Sequence, residues 1–502
     1  MNKFFSIYKM ALAILLLIAA NTVLNAQPSL TKAEMYEDFN ALVKIIKDTD
    51  SRLAIRQQVT GKDILTEIEN LSSTIDTITT LESYYKLVQM ALYLTQDIHN
   101  HIMYYEPEFE LVKNYVDDSI IQQSNFLAQQ GWYSWSIHLM GLYYVNGDYY
   151  FVQDLTTKQG EEEVIFIQKG TKVLKINGVD IDRYVLETGG KLRSTLRWDN
   201  VRKKYYTKHN VRTEVGKPFV ITAILPTGEK VDIIRDLTTR LRYRGTMNTD
   251  YEEKKVLYFS DNKILYVRVL EMDMEDLPFY QEEILKYKNK PIEKVVIDIR
   301  KNSGGNDKVW RELLSSIIDK PMEFNTKLLF KNTPLTISYL RDVRDEAIEV
   351  IQPNDVIIGR DTLFCAYNET DTILPAQNTI AYSGTIYVLG DEQTFSSAGA
   401  LLSVCKKADR LVSVGQSTGF MLGRGINPFI FSLPKSKIIF RYVTFIEGID
   451  TQNINDYFHD TLEIPVEKSL EEVLFEENWE QELYSKDYLF NYDSTFKKVL
   501  EL

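Results

Sequence analysis

Val295-Val296-Ile297-Asp298-Ile299-Arg300-Lys301-Asn302-Ser303-Gly304-Gly305 is an apolar run that ends in a pair of glycines. A short β-branched stretch bounded by glycine reads as a strand buried on both faces. Outward from it, the pattern repeats. Strand-like runs at Ile264 to Leu270, Thr385 to Leu389 and Leu411 to Val414 alternate with helical spacing at Lys308 to Ile318 and Ser397 to Lys406. Such alternation predicts an α/β core around a largely buried sheet. Upstream, Trp132 to about Ile234 carries short aromatic and β-branched runs separated by Asn146-Gly147-Asp148 and Asn177-Gly178, which predicts a β-rich region. Earlier still, Met35, Phe39, Leu42, Val43 and Ile46 recur at helical spacing behind Thr31 and Glu34, a capping box. A second helical stretch, Thr80 to Thr95, runs into Gln96-Asp97-Ile98-His99-Asn100-His101. The whole reads as an α+β multidomain chain.

Three clusters carry possible chemistry. Asp391-Glu392-Gln393-Thr394-Phe395-Ser396-Ser397-Ala398-Gly399-Ala400 joins a strand to a helix. A serine there is either an ordinary N-cap or a nucleophile exposed at a helix N-terminus, with backbone N–H groups aimed at charge that develops beside it. Gly304-Gly305 is either a turn that needs positive φ or a place where backbone amides approach a ligand, as in an oxyanion hole. Asp298 and Arg300, at the strand end, are placed to pair with each other. The third cluster holds His99 and His101, two of only five histidines. Either is a satisfied structural residue or a base suited to neutral pH.

Asp298-Ile299-Arg300-Lys301-Asn302-Ser303-Gly304-Gly305 resembles the D-x-R-x-N-x-G-G signature of the tail-specific, or C-terminal-processing, serine proteases. Thr394-Phe395-Ser396-Ser397-Ala398 is similar to their nucleophile segment, and Arg410 with Val414-Gly415-Gln416-Ser417-Thr418-Gly419 to the run that follows it. Asp97-Ile98-His99 resembles the D-G-H-T segment of the tricorn-like branch. The resemblance implies a serine endopeptidase with Ser396 as nucleophile, His99 as base with His101 in reserve, and oxyanion donors at Ser397 and at Gly304 or Gly305. Glu447, in Ile446-Glu447-Gly448-Ile449-Asp450, is similar to a late glutamate that helps orient the base. Other members use a lysine where this chain has Met421, and a methionine accepts no proton. Phe166 to Ile181 resembles a PDZ hairpin, a module that captures chain termini by strand addition. The implied organisation is a signal peptide at 1–26, a helical N-terminal domain at 27–110, a PDZ-like β-rich region at 111–250, an α/β (ClpP/crotonase-like) protease core at 255–480 and a helical tail at 481–502. No cofactor or metal is required, and the implied partner is a peptide or protein substrate. Gly399, Gln416 and Ile98 depart from the family pattern. A catalytically impaired peptide-binding protein on the same scaffold is therefore the alternative; a carbohydrate hydrolase would need two acids in one cleft, and no pattern favours it.

Composition narrows the field. At 502 residues the chain is too long for one ordinary core, and its 44% hydrophobic content is that of packed globular domains. A formal net charge of -13 argues against a surface built to neutralise phosphates, so nucleic acid is not an expected partner. Two cysteines, Cys365 and Cys405, make no disulfide framework. Lys3 and Lys9, the apolar run Met10 to Ala20 and the small-residue site at Leu24-Asn25-Ala26 predict an export signal cleaved before Gln27. No later segment is long and apolar enough to span a bilayer. The expected location is periplasmic or extracellular.

Overall fold

The computed structural model describes residues 29–502 apart from 105, 111, 115, 133–135, 140, 160–161, 190–191, 193–195, 210, 215–216, 236–241, 244–253, 344–355, 359–360, 419–427, 448–461 and 480–482. The expected signal segment 1–26, Met421 and the turn after Glu447 lie outside the described residues.

The run around Val295 forms the strand Lys294–Asp298 at the centre of a six-stranded sheet. In spatial order the strands are Lys255–Phe259, Ile264–Arg268, Lys294–Asp298, Ile386–Gly390, Leu411–Gly415 and Ile464–Pro465. The first pair is antiparallel and the rest are parallel. Because side chains alternate across a strand, the sheet has two apolar faces. Leu265, Val267, Val295, Ile297, Ile386 and Val388 pack with Trp310, Leu313, Leu401 and Leu402 from the helices Asp307–Ser315 and Ser397–Cys405. On the other face, Tyr266, Val296, Tyr387 and Leu389 meet Leu489, Phe496 and Val499 of the C-terminal helices Lys486–Asn491 and Ser494–Glu501. The expected tail is thus one of the two layers that cover the sheet.

Asp298 and Arg300 pair inside a buried network. Tyr266 Oη donates to Asp298 Oδ2 at 2.7 Å, Arg268 Nη1 to Oδ1 at 3.2 Å, and Arg300 Nε to Oδ1 at 3.0 Å. Arg300 Nη1 also reaches Asp493 Oδ1 at 2.9 Å, and that carboxylate caps the last helix. The network ties the end of the central strand to the C-terminal layer.

In the β-rich region an antiparallel sheet runs Lys230–Arg235, Phe219–Ile224, Lys172–Ile176, Asp148–Phe151 and Leu142–Val145, with Val179–Asp180 paired to Lys172–Ile176. Asn177 and Gly178 take φ of 50° and 78°, the left-handed pair that a two-residue hairpin of type I′ requires. Tyr144, Tyr149, Tyr205 and Tyr206 belong to this region's core, and Tyr144 stacks on Tyr206 with ring centroids 4.3 Å apart.

The N-terminal segment begins with the helix Lys32–Thr49, capped by Thr31 and Glu34. Its apolar stripe, with that of Leu81–Leu94, closes over Leu433, Ile438, Phe440 and Tyr442 from the far end of the chain. The strand His101–Ile102 pairs with Ile439–Tyr442, so the segment after Leu94 is fastened to the core by main-chain hydrogen bonds. A further sheet, with Met322–Lys331 against Asp361–Ile373 and Ile446–Glu447, was not foreseen from the alternation of strands and helices. No helix among the described residues is long and apolar enough to cross a membrane.

Candidate active site

The strand Ile386–Gly390 ends in a loop that its own polar side chains hold rigid. Asp391 Oδ1 accepts the N–H groups of Lys301, Gln393 and Thr394, each at 3.0 Å. Thr394 Oγ1 donates to Ile299 O at 3.1 Å, and Phe395 N–H to Asn302 O at 3.0 Å. The loop delivers Ser396 to the N-cap position of Ser397–Cys405 with φ 54° and ψ −122°, a strained geometry for a non-glycine residue. Its hydroxyl makes no capping hydrogen bond. Instead Ser396 Oγ lies 3.3 Å from His99 Nε2. Ser397 is 4% exposed and its Oγ has no hydrogen-bond partner among the described residues.

The histidine is held from three sides. Its Nδ1 is 2.9 Å from Asp97 Oδ1, which also accepts the His99 main-chain N–H at 2.9 Å. Its ring stacks on Phe395 with centroids 4.3 Å apart, inclined by 25°. Asn100 Oδ1 accepts Val443 N–H at 2.7 Å, which secures the loop to the core. With the Nδ1 proton directed at Asp97, Nε2 is left as the acceptor facing the serine. Asp97 Oδ2 in turn takes the Arg52 guanidinium. Burial opposes ionisation of Asp97, but the Arg52 charge and then His99 outweigh it, so the carboxyl is held below the usual carboxylate range.

The glycine pair lies directly against Ser396. Gly304 has φ 107°, and a Cβ built there would stand 2.6 Å from Ser396 Cβ. Gly304 N–H donates to Asn302 Oδ1 at 2.8 Å. Gly304 O accepts Met272 N–H at 2.9 Å and Asn306 N–H donates to Met272 O at 2.8 Å, so the intervening Gly305 N–H points away from Met272 in the alternation of an extended chain. Neither Gly305 N–H nor Ser397 N–H has an acceptor among the described residues.

The structure thus brings Ser396, His99, Ser397, Gly304 and Gly305 together. Glu447, 1% exposed, pairs its carboxylate with Lys407, and no hydrogen bond among the described residues joins it to His99. His101 faces away from the serine, with Nε2 2.9 Å from Glu108 Oε1. The sequence alone assigns no role to Asp97 or to Arg52. A carboxylate two residues before a candidate base was the available signal for the first; a bond across 45 residues left none for the second. Gly399 is buried in the first turn of the helix, and Gln416 N–H donates to Gly390 O at 3.1 Å. A cavity of about 270 Å³ opens where the β-rich region meets the core, lined by Tyr144, Trp198, Tyr206, Glu392, Gln416 and Val466 among others. Glu392 there pairs with Lys208, and its carbonyl accepts Arg197, so the β-rich region grips the loop that carries Ser396.

A serine at a strand-to-helix turn, an imidazole at its hydroxyl and a glycine loop beside it define a serine-type peptidase core. Residues 263–447 match the family model described as Peptidase family S41. Among solved structures the chain is similar to mature CPAF, at 13% identity over 94% of this chain and 96% of that one, with a TM-score of 0.56. It is similar also to mature CPAF complexed with lactacystin, at 13% identity over 94% and 98%, with a TM-score of 0.54. At that identity the likeness establishes the fold. No curated protein matches the sequence.

Proposed function

We propose that the protein is an exported serine endopeptidase of the Ser-His, tricorn-like kind, hydrolysing peptide bonds through an acyl-enzyme at Ser396. Ser396 Oγ attacks the scissile carbonyl carbon while His99 Nε2 takes its proton; Asp97 holds the ring and favours the imidazolium that forms. The carbonyl oxygen, now negative, faces the N–H groups of Ser397 and Gly305. Gly304 is the spacer, since its amide is spent on Asn302 and its missing Cβ lets the loop close on the serine. Collapse expels the amine, which takes the proton from His99, and water then hydrolyses the ester by the same steps in reverse. The β-rich region at 111–250, with its Asn177-Gly178 hairpin, serves as a PDZ-like module, and residues 1–26 as the signal that sends the chain to the periplasm or beyond.

The observation that carries this reading is the 3.3 Å approach of His99 Nε2 to Ser396 Oγ across 297 residues of sequence. The test is hydrolysis of an unfolded protein by the chain lacking residues 1–26, compared with Ser396→Ala, and with lactacystin, the compound seen with mature CPAF, as the first inhibitor tried. Serine-dependent cleavage supports the proposal. A well-folded chain that binds peptides and cleaves none would replace it with the peptide-binding alternative.

A further inference from the structure

Behind the base lies a chain of buried polar groups that the three reacting residues do not explain. Arg52 is 2% exposed at the start of the helix Leu53–Thr60. Its Nε donates to Asp50 Oδ1 at 3.1 Å, its Nη2 to Val443 O at 2.8 Å, and its Nη1 to Asp97 Oδ2. Asp50, fully buried, is held from the other side by Tyr442 Oη at 2.7 Å and by the Arg52 main-chain N–H at 2.7 Å. The guanidinium is therefore clamped between two carboxylates and a carbonyl, and one of those carboxylates carries His99. The path runs Tyr442, Asp50, Arg52, Asp97, His99, Ser396, crossing from the core into the N-terminal helices and back to the nucleophile.

We infer that Arg52 is a positioning residue for the His99 base, acting through Asp97. The inference rests on the serine-peptidase reading for its consequence but on geometry for its substance. Asp97 Oδ1 takes both the main-chain N–H and the Nδ1 of His99, and a tether on Oδ2 from the far side fixes the remaining rotation of the carboxylate. Arg52 supplies that tether with a planar fork whose orientation Asp50 and Val443 O already fix, which a lysine ammonium cannot reproduce. The charge matters as well as the hydrogen bond. The guanidinium keeps the Asp97 carboxylate ionised, and so keeps Oδ1 an acceptor for the Nδ1 proton. The charged and titratable groups packed around the pair are Asp50, Arg56 and Tyr442 about Arg52, and Arg52 with Ser396 about the Asp97–His99 unit. Burial opposes the Arg52 charge, yet Asp50 and then Asp97 hold its pKa above the ordinary arginine value, so it stays charged wherever the protein is folded.

The test compares Arg52→Met, Arg52→Lys and Asp97→Asn with wild type, in the full mature chain, by two readouts. The first is the pH dependence of kcat and KM on a peptide substrate. The second, made without substrate, is the tautomer of His99 by NMR of ¹⁵N-histidine-labelled protein. In Arg52→Met, kcat falls about 10-fold or more with KM little changed. The ring becomes a mixture of tautomers instead of the Nδ1–H form. Arg52→Lys recovers part of the rate; Asp97→Asn loses the Nδ1–H form. Arg52→Met with wild-type profile and tautomer overturns the inference. If that variant does not fold, Arg52→Lys decides: wild-type rate and tautomer there overturn it equally. If no serine-dependent hydrolysis exists at all, the peptidase reading fails while the tautomer measurement still judges the tether.

Discussion

Gly304→Ala tests the packing of the site most sharply, because everything its new methyl would meet is backbone or the nucleophile itself. The Cβ would lie 2.6 Å from Ser396 Cβ, 2.8 Å from Phe395 O and 2.9 Å from Ser397 N. Carbon–carbon contact becomes favourable only at about 3.5–4.0 Å, so roughly 1 Å of separation has to be found. No flexible side chain stands in the way to rotate aside; the two loops must part. A residue with φ of 107° that gains a Cβ also costs about 1–3 kcal/mol in backbone strain. On the proposed mechanism, moving Ser396 by about 1 Å from His99 and from the Ser397 and Gly305 amides lowers kcat/KM by about 10²-fold. The assay is the rate of Ser396 modification by a fluorophosphonate together with peptide hydrolysis, with thermal unfolding to show that the variant is folded. Gly61→Ala is the control: φ is 73° there and nothing lies within 4 Å of the new methyl, so it bears backbone strain without touching the site. Gly304→Ala that reacts at the wild-type rate would refute the packing argument.

Other outcomes follow from the same contacts. Gly415→Ala would drive a methyl into Gly390 O of the neighbouring strand, and is expected to lower the unfolding temperature more than Gly61→Ala does. Asp298→Asn leaves Arg268 and Arg300 short of a buried counter-charge and should cost about 3–5 kcal/mol by denaturant unfolding. Burial opposes the Asp298 charge, but Arg300 and then Arg268 bring its pKa down to about 2. A folded value below the unfolded one gives stability that is present above about pH 4 and lost as pH falls toward 2. The wild type should therefore lose more stability than the asparagine variant across that window. Trp310→Ala, at a fully buried position between sheet and helix, should cost about 3–5 kcal/mol.

The strands Lys294–Asp298 and Ile386–Gly390 and the glycine pair were legible because their signals are local: a β-branched run, a glycine turn, a serine where a strand meets a helix. The capping box at Thr31 and the Asn177-Gly178 hairpin were legible for the same reason. His99 could be nominated only by resemblance, since no local property distinguishes it from His101. Folding separates them, turning one toward Ser396 and the other toward Glu108. Arg52 and Tyr442 read as an ordinary helix residue and an ordinary strand residue, and their shared contact with Asp50 exists only once residues some 390 positions apart are packed. The sheet built from Met322–Lys331 and Asp361–Ile373 was missed for the same cause, because its partners are set by pairing across a long connection. Glu447 was suggested by resemblance as a group that orients the base, and the folded chain pairs its buried carboxylate with Lys407.

The most direct measurement is intact-mass analysis of the chain lacking residues 1–26 after exposure to a fluorophosphonate, with Ser396→Ala and His99→Ala alongside. The account predicts a single adduct on Ser396, none in Ser396→Ala, and labelling slowed by about 10²-fold or more in folded His99→Ala. An adduct that persists in Ser396→Ala, or forms at the wild-type rate in His99→Ala, would contradict it.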